Sequence, residues 1–350
     1  MSQVEGERVP LSALIEAENL PRLLVMSFGV WLYAADSTLV ATLMPVAVED
    51  IGGLPYLSWT YALYQLGSVV TGAVAGLVVM RTGIVRAEIA AGVLYVFGCA
   101  LSAYAPDMSI MILGRLLQGM GGGGLVSLAF IGASTLFPKK LWVRVIAVIS
   151  AIWGVSSLCG PLIGGYFVNI GNWRGAFWAF ALQGLVTIFV APPLLRKHFQ
   201  LQTEHIQPLP LARLGILSIA VLAICQAGVV SSTQFAVGLC AVGVVLLLIF
   251  LKQDMDSENR IFPRGILNPR TVSGSGLLMI SSLFMATISL TVYGPLLMYI
   301  IFGAAPLVAG YIIALESLGW TLTAIFTSGL RERFEPRLIR MGAVFVSVSM

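Results

Sequence analysis

The stretch MSIMILGRLLQGMGGGGLVSLAFIGASTL, from Met108 to Leu136, carries one charge, Arg115, and one amide, Gln118, in an otherwise almost wholly apolar run. Within it, Gly119, Met120, Gly121, Gly122, Gly123 and Gly124 formally satisfy the dinucleotide-binding spacing GxGxxG. That spacing carries chemistry only where a strand precedes it and a βαβ unit surrounds it, and neither pattern is present. A run of about 20 apolar residues is instead what one helix needs to cross a bilayer, and small residues let such helices approach closely. The stretch is therefore expected to be a membrane helix with a buried cation.

Working outward, comparable runs recur at 22–47, 57–80, 86–105, 142–167, 174–195, 213–231, 234–251, 271–302 and 306–329, which with the quoted stretch makes ten spans. Hydrophobic residues make up 58% of the 350 and charged residues 10%, with a mean hydropathy of +0.94. That balance excludes an ordinary water-soluble domain and makes lipid the expected solvent. Lipid leaves backbone polar groups no partner outside the helix itself, so the expected fold class is all-α. An eleventh run starts near Met341 and is shorter than a span at Met350, so further sequence is expected beyond it.

The basic residues fix an orientation. Arg8 and Arg22 precede the first span, Arg81 and Arg86 follow the second, and Lys139, Lys140 and Arg144 follow the fourth. Arg196, Lys197 and Arg213 follow the sixth, Lys252, Arg260, Arg264 and Arg270 the eighth, and Arg331, Arg333, Arg337 and Arg340 the tenth. Of 20 Lys and Arg, 18 thus fall on one side, while Arg174 stands against the pattern. The positive-inside rule makes that side, and the N-terminus, cytoplasmic. Strict alternation with loop parity argues against a nucleic-acid or anionic-lipid patch.

No basic n-region precedes an apolar core at Met1, so no cleaved signal is expected, and Val9 to Asn19 reads as an amphipathic surface helix. Cys99, Cys159, Cys225 and Cys240 lie unpaired in apolar runs and read as small buried hydrophobes, without disulfide or metal. His198 and His205 lie in a polar stretch with Pro208 and Pro210 and lack further metal donors nearby. Neither a cofactor nor a metal is expected. GxxxxGK[ST], HExxH and GxSxG are all missing, which removes support for an ATP-driven pump or a membrane-embedded enzyme.

Three residues carry chemistry at lipid depth. Asp36 stands mid-span in Tyr33, Ala34, Ala35, Asp36, Ser37, Thr38. Insertion scales put an acid there at roughly 2.5–3.5 kcal/mol, so it is expected to face a cavity or a partner. A carboxyl group takes up a proton when water leaves and releases it when water returns, the elementary step of proton coupling. The bland alternative is a packing Asp bonded to Ser or Thr. Arg115 could hold helices together or modulate the proton affinity of an acid, and Gln118 lies one turn along on the same face. Glu316 in the tenth span is a further candidate for a proton or a cationic substrate. Gly72 with Gly76, and Gly160 with Gly164, repeat small-xxx-small packing spacing.

These residues together resemble the major facilitator superfamily, in particular its fourteen-helix drug:proton antiporters. Asp36 to Pro45 is similar to the first-helix motif with its membrane acid, and Arg115, Gln118, Gly119 and Gly121 to the fourth-helix motif whose arginine the family links to proton transfer. Gly154, Ser156, Gly160, Pro161, Gly164 and Gly165 resemble the fifth-helix GPxxGG motif, followed by Trp173, Arg174 and Phe177 of the outer loop. Two cytoplasmic turns, Gly76 to Gly83 and Ser328 to Arg337, resemble two copies of the gating motif. The first keeps Arg81 and Gly83 but has Met80 in the acid position, and the second has Glu332, Arg333 and Arg337 with Glu335 replacing the glycine. The second copy follows span ten, which implies two extra helices between the halves.

The resemblance implies a major facilitator fold: a cytoplasmic segment 1–21, an N-terminal six-helix bundle 22–195, a linker 196–212, two extra helices 213–251, a cytoplasmic loop 252–270 and an incomplete C-terminal bundle from 271 to 350. It implies alternating-access export of small lipophilic or cationic compounds in exchange for protons. The setting it implies is a multi-pass protein of the bacterial inner membrane, monomeric, with membrane lipids, substrate and protons as its partners and no nucleic acid. An exporter of a single metabolite or siderophore stays open, as does a non-transporting receptor or scaffold on the same fold, which the Met80 departure encourages.

Overall fold

The computed structural model describes residues 18–195 and 210–305, without 259 and 263, together with scattered single positions before and after. The N-terminal segment to residue 13, the linker 196–209, Glu316, Glu332 and Glu335 with Arg333 lie outside the described residues, as does most of the run 306–329. Among the described residues the chain is helical, with no strand.

Among the described residues, nine long helices follow the runs in order: α1 Asn19–Ile51, α2 Leu57–Thr82, α3 Ile84–Tyr104, α4 Met108–Thr135, α5 Trp142–Asn169, α6 Trp173–Leu195, α7 Leu211–Ala227, α8 Thr233–Asp256 and α9 Val272–Phe302. Seven of them are long and apolar enough to cross a membrane among the described residues. With 17 residues, α7 spans only about 25 Å at 1.5 Å per residue, shorter than the run from which it was expected. Most helices overrun their apolar runs by a few residues. Thus α8 continues past Lys252 to Asp256, where the buried Asp254 receives Arg213 Nη1 and the backbone N–H groups of Ile261 and Phe262.

Burial runs opposite to that of a water-soluble protein. Leu182, Phe189 and Phe235 are exposed, while Asp36, Arg115 and Gln118 are 0–1% exposed. Apolar surface facing outward and polar groups inward is the arrangement a bilayer selects. The chain is a multi-pass membrane protein.

Helix α4 lies at the centre of the first six, packed on α1, α2 and α3, and its glycines explain how. A Cβ on Gly119 would overlap the Tyr64 carbonyl of α2, and one on Gly123 would overlap Ser68. A Cβ on Gly121 would lie 2.6 Å from the Ala91 carbonyl oxygen of α3, and one on Gly122 2.9 Å from the Tyr33 ring of α1. The glycine run thus allows close backbone approach to three helices at once, which is packing and not a phosphate loop. Helix α1 packs on α4, α5 and α6, whereas α7 and α8 form a hairpin set against α2, where Trp59 Nε1 donates to the Cys225 carbonyl at 3.1 Å.

Candidate functional site: a buried polar knot between α1, α3 and α4

Asp36 comes from the middle of α1 and Arg115 from the third turn of α4. Because α4 turns Gly114, Gly121 and Gly124 towards α3, and Gly119 and Gly123 towards α2, the three neighbours close tightly around these side chains. Arg115 Nη1 donates to Asp36 Oδ1 at 2.8 Å in a fully enclosed ion pair. Gln118 Nε2 donates to Asp36 Oδ2 at 3.3 Å, and Arg115 Nη1 also reaches Gln118 Oε1 at 3.2 Å. Ser102 of α3 donates to Gln118 Oε1 at 2.9 Å. The Tyr64 and Tyr95 hydroxyls lie against the same carboxylate, and each donates to an α1 carbonyl, Tyr33 O at 2.9 Å and Leu32 O at 3.2 Å.

The arginine is held on a second side. Its guanidinium carbon sits 4.0 Å above the Tyr64 ring, a cation–π contact, while its Nε has no partner. Tyr33 stacks on Tyr64 with centroids 5.2 Å apart, and the half-exposed Trp153 of α5 meets the Tyr33 edge at 5.6 Å. A continuous column therefore runs from the enclosed ion pair to the surface of α5. Tyr33 also donates to Gln65 at 2.6 Å, and Gln65 is exposed midway along α2. An amide exposed at that depth fits a polar cleft better than contact with lipid tails.

Of the residues expected from sequence, the structure brings Asp36, Arg115 and Gln118 into direct contact, with Gly119 and Gly121 packing the same helix. Asp36 is bonded to Arg115 and Gln118 rather than to Ser or Thr: Ser37 and Thr38 both turn back to the Ala34 carbonyl. The fifth-helix residues act on the other side of α1. Cβ atoms on Gly160 and Gly164 would overlap the Thr38 and Thr42 hydroxyls, and Thr38 Oγ1 donates to the Ser156 carbonyl at 3.2 Å. Gly154, Pro161 and Gly165 are buried in the same helix. At the α2–α3 turn, Gly83 has φ +82°, a left-handed conformation that suits glycine, and Arg81 beside it is exposed. Arg337 is exposed and helical.

Four features were not expected from sequence. Cys99 is more than a small hydrophobe, since Gln118 Nε2 donates to its sulfur at 3.2 Å. Tyr64 and Tyr95 enclose the ion pair. Glu88, in the second turn of α3, is 4% exposed. Arg174, the cation that broke the charge pattern, pairs with Asp50 at the end of α1 and donates to the Ala105 carbonyl at 3.0 Å. Trp173 Nε1 joins the same Asp50 carboxylate at 3.2 Å. For Glu88 the available signal was an acid close to the start of its apolar run, while the tyrosines, apolar bodies with a polar tip, leave none in hydropathy. No group of His, Cys, Asp and Glu that could hold a metal is formed among the described residues.

An all-helical bundle with apolar surfaces and an ion pair sealed at its centre defines an integral membrane protein built around a buried charge. The chain belongs to the Major Facilitator Superfamily, a superfamily of membrane transporters rather than enzymes, which its sequence matches over residues 26–350. It is 32% identical to a probable multidrug-efflux transporter of Mycobacterium tuberculosis over 88% of this chain and 66% of that protein. It is 29% identical to the multidrug transporter protein MdtP of Bacillus subtilis over 68% of this chain and 44% of that protein. The chain thus spans just under two thirds of the first relative's length and less than half of the second's. Among solved structures, the proton:xylose symporter XylE superposes with a TM-score of 0.53 at 16% identity, covering 88% of this chain and 68% of that one, a likeness of fold.

Proposed function

We propose that the protein is a secondary active transporter that exports small lipophilic or cationic compounds in exchange for protons by alternating access. The observation that carries this reading is the Asp36–Arg115 pair, sealed from solvent in the first half of the chain. A proton arriving at Asp36 cancels its charge and leaves Arg115 beside a neutral acid. The guanidinium then keeps only Gln118 Oε1 and the Tyr64 ring, so the clamp between α1 and α4 loosens. Loss of the proton restores the pair. Because α1 also carries the Thr38 and Thr42 contacts to α5, a shift of α1 is felt on both of its faces.

The half-exposed Trp153 and the Tyr33–Gln65 pair supply an aromatic and polar wall suited to flat, weakly hydrated cations. In this reading the N-terminus is cytoplasmic, which the distribution of basic connections supports, and the setting is the bacterial cytoplasmic membrane, where a proton gradient is available. Arg81, Gly83 and Arg337 belong to the cytoplasmic gate in this reading, and Glu316 with Glu332 and Arg333 would serve the second half. The reading is tested by efflux from proteoliposomes carrying the full-length protein under an imposed pH gradient. Asp36→Asn is expected to insert normally and lose gradient-driven efflux; retained efflux overturns the role of Asp36. Ligand binding without flux in the wild type would favour a receptor, and efflux of one compound from a broad panel would favour a dedicated metabolite or siderophore exporter.

A further inference from the structure

Glu88 is the buried acid that the proposed exchange leaves unused. It is 4% exposed, and among the described residues no hydrogen bond or ion pair reaches its carboxyl group. An unpaired carboxylate taken out of water costs several kcal/mol, so the side chain rests there as the neutral acid. A carboxyl group that bonds to nothing gives nothing back for its desolvation, so packing alone does not account for it.

Its position is informative. Glu88, Ala91, Tyr95, Cys99 and Ser102 form one buried stripe along α3. The last three belong to the polar knot, and Glu88 lies two turns, about 10 Å, from Tyr95 towards the end of α3 that the basic connections mark as cytoplasmic. Oε1 faces α1 at Gly29, where a Cβ would stand 3.8 Å away. Ala91 stands between, opposite Gly124 of α4. Leu125 of α4 also lies against Gly29, 3.2 Å from where a Cβ would stand, so water reaches Glu88 only when α1 is displaced from this contact.

No charge competes at this depth. Arg22 of α1 sits about two turns further towards the cytoplasm, bonded to the Leu136 carbonyl at 2.8 Å. On α2 the only charged residue is the exposed Arg81, and Arg86 of α3 itself is also exposed. Arg115 on α4 and Arg174 on α6 are the only charged residues of their helices, and both stand nearer the opposite end.

The geometry points to Glu88 as a proton-relay carboxyl: when α1 shifts it passes its own proton to cytoplasmic water and takes up in its place the proton that leaves Asp36. Tyr95, whose hydroxyl lies against Asp36, marks the inner rim of the knot from which the proton departs. One proton enters the relay and one leaves it, so the exchange ratio is unchanged and only the inward proton step depends on Glu88. This rests on the exchange proposed above.

Two measurements test it. In proteoliposomes holding the full-length protein, with tetraphenylphosphonium as probe, Glu88→Gln is expected to slow efflux driven by a pH gradient at least tenfold. Counterflow of labelled against unlabelled probe, which moves no net proton, is expected to persist, and Glu88→Asp is expected to restore part of the driven flux. Equal efflux in Glu88→Gln and wild type overturns the relay, and so does a parallel loss of driven flux and counterflow. If wild-type efflux ignores the gradient, the exchange itself has failed. Without any transport substrate, dicyclohexylcarbodiimide, which attacks protonated carboxyl groups in apolar surroundings, is expected to label Glu88, read by peptide mass spectrometry. An unlabelled Glu88 overturns its assignment as a buried neutral acid.

Discussion

Asp36 and Arg115 hold one another in a place neither could occupy alone. Removing one member of a buried pair leaves the other uncompensated and costs about 3–5 kcal/mol, whereas removing both is far milder. Asp36→Asn is therefore expected to lower the thermal midpoint of the detergent-solubilised protein, and Asp36→Asn with Arg115→Gln to recover most of it, while both variants stay inactive. Recovery of transport in the double variant would show the pair to be structural only. Arg115→Lys tests the geometry rather than the charge. A lysine keeps the cation but loses the planar contact with Tyr64 and the single nitrogen shared between Asp36 and Gln118, so gradient-driven efflux is expected to fall at least tenfold. Both charges were legible in the sequence because each interrupts an apolar run. Their pairing was not, since it joins positions 79 residues apart through helix packing that no local pattern encodes. Cys99 and the tyrosines escaped for a related reason, because as apolar bodies with a polar tip they do not interrupt hydropathy. Glu88 escaped because it lies near the end of its run, where an acid ordinarily reaches solvent.

At the scale of the elements, the glycines sort by what they face. Gly119→Ala forces α2 and α4 apart at the Tyr64 carbonyl, with an expected loss of about 1–3 kcal/mol as in other overpacked contacts. Gly76→Ala, with open space around it on α2, is expected to change stability by no more than about 1 kcal/mol. A thermal-shift series on the two variants checks the contrast, and equal losses would mean that α4 does not depend on these close approaches. Helix order and the GPxxGG spacing of α5 were readable in advance, because apolar spans of this length leave strong hydropathy signals. Helix ends were less so. The overrun of α8 depends on Asp254, whose partners lie on α7 and in the following loop, and the shortness of α7 follows from an early stop at Ala227 that hydropathy does not mark.

For the molecule as a whole, orientation and the tying of its ends matter most. After removal of Cys99, Cys159, Cys225 and Cys240, a cysteine placed at Lys140 is expected to react with a membrane-impermeant maleimide only from the cytoplasmic side. One placed at Gly171 is expected to react only from outside, and the reverse result would invert the topology. At the end of the bundle opposite the basic connections, Arg174 joins the end of α1, the start of α6 and the α3–α4 connection through Asp50 and Ala105. The pair is half exposed and screened by water, so Arg174→Gln is expected to leave the thermal midpoint nearly unchanged.

The α7–α8 hairpin leans on the rest chiefly along α2, where Trp59 donates to the Cys225 carbonyl. It stands clear of Asp36, Arg115 and Gln118. The hairpin behaves as an outrigger: its length and sequence can drift, or be engineered as an attachment point for a tag or fusion, without the knot at the centre of the bundle registering the change.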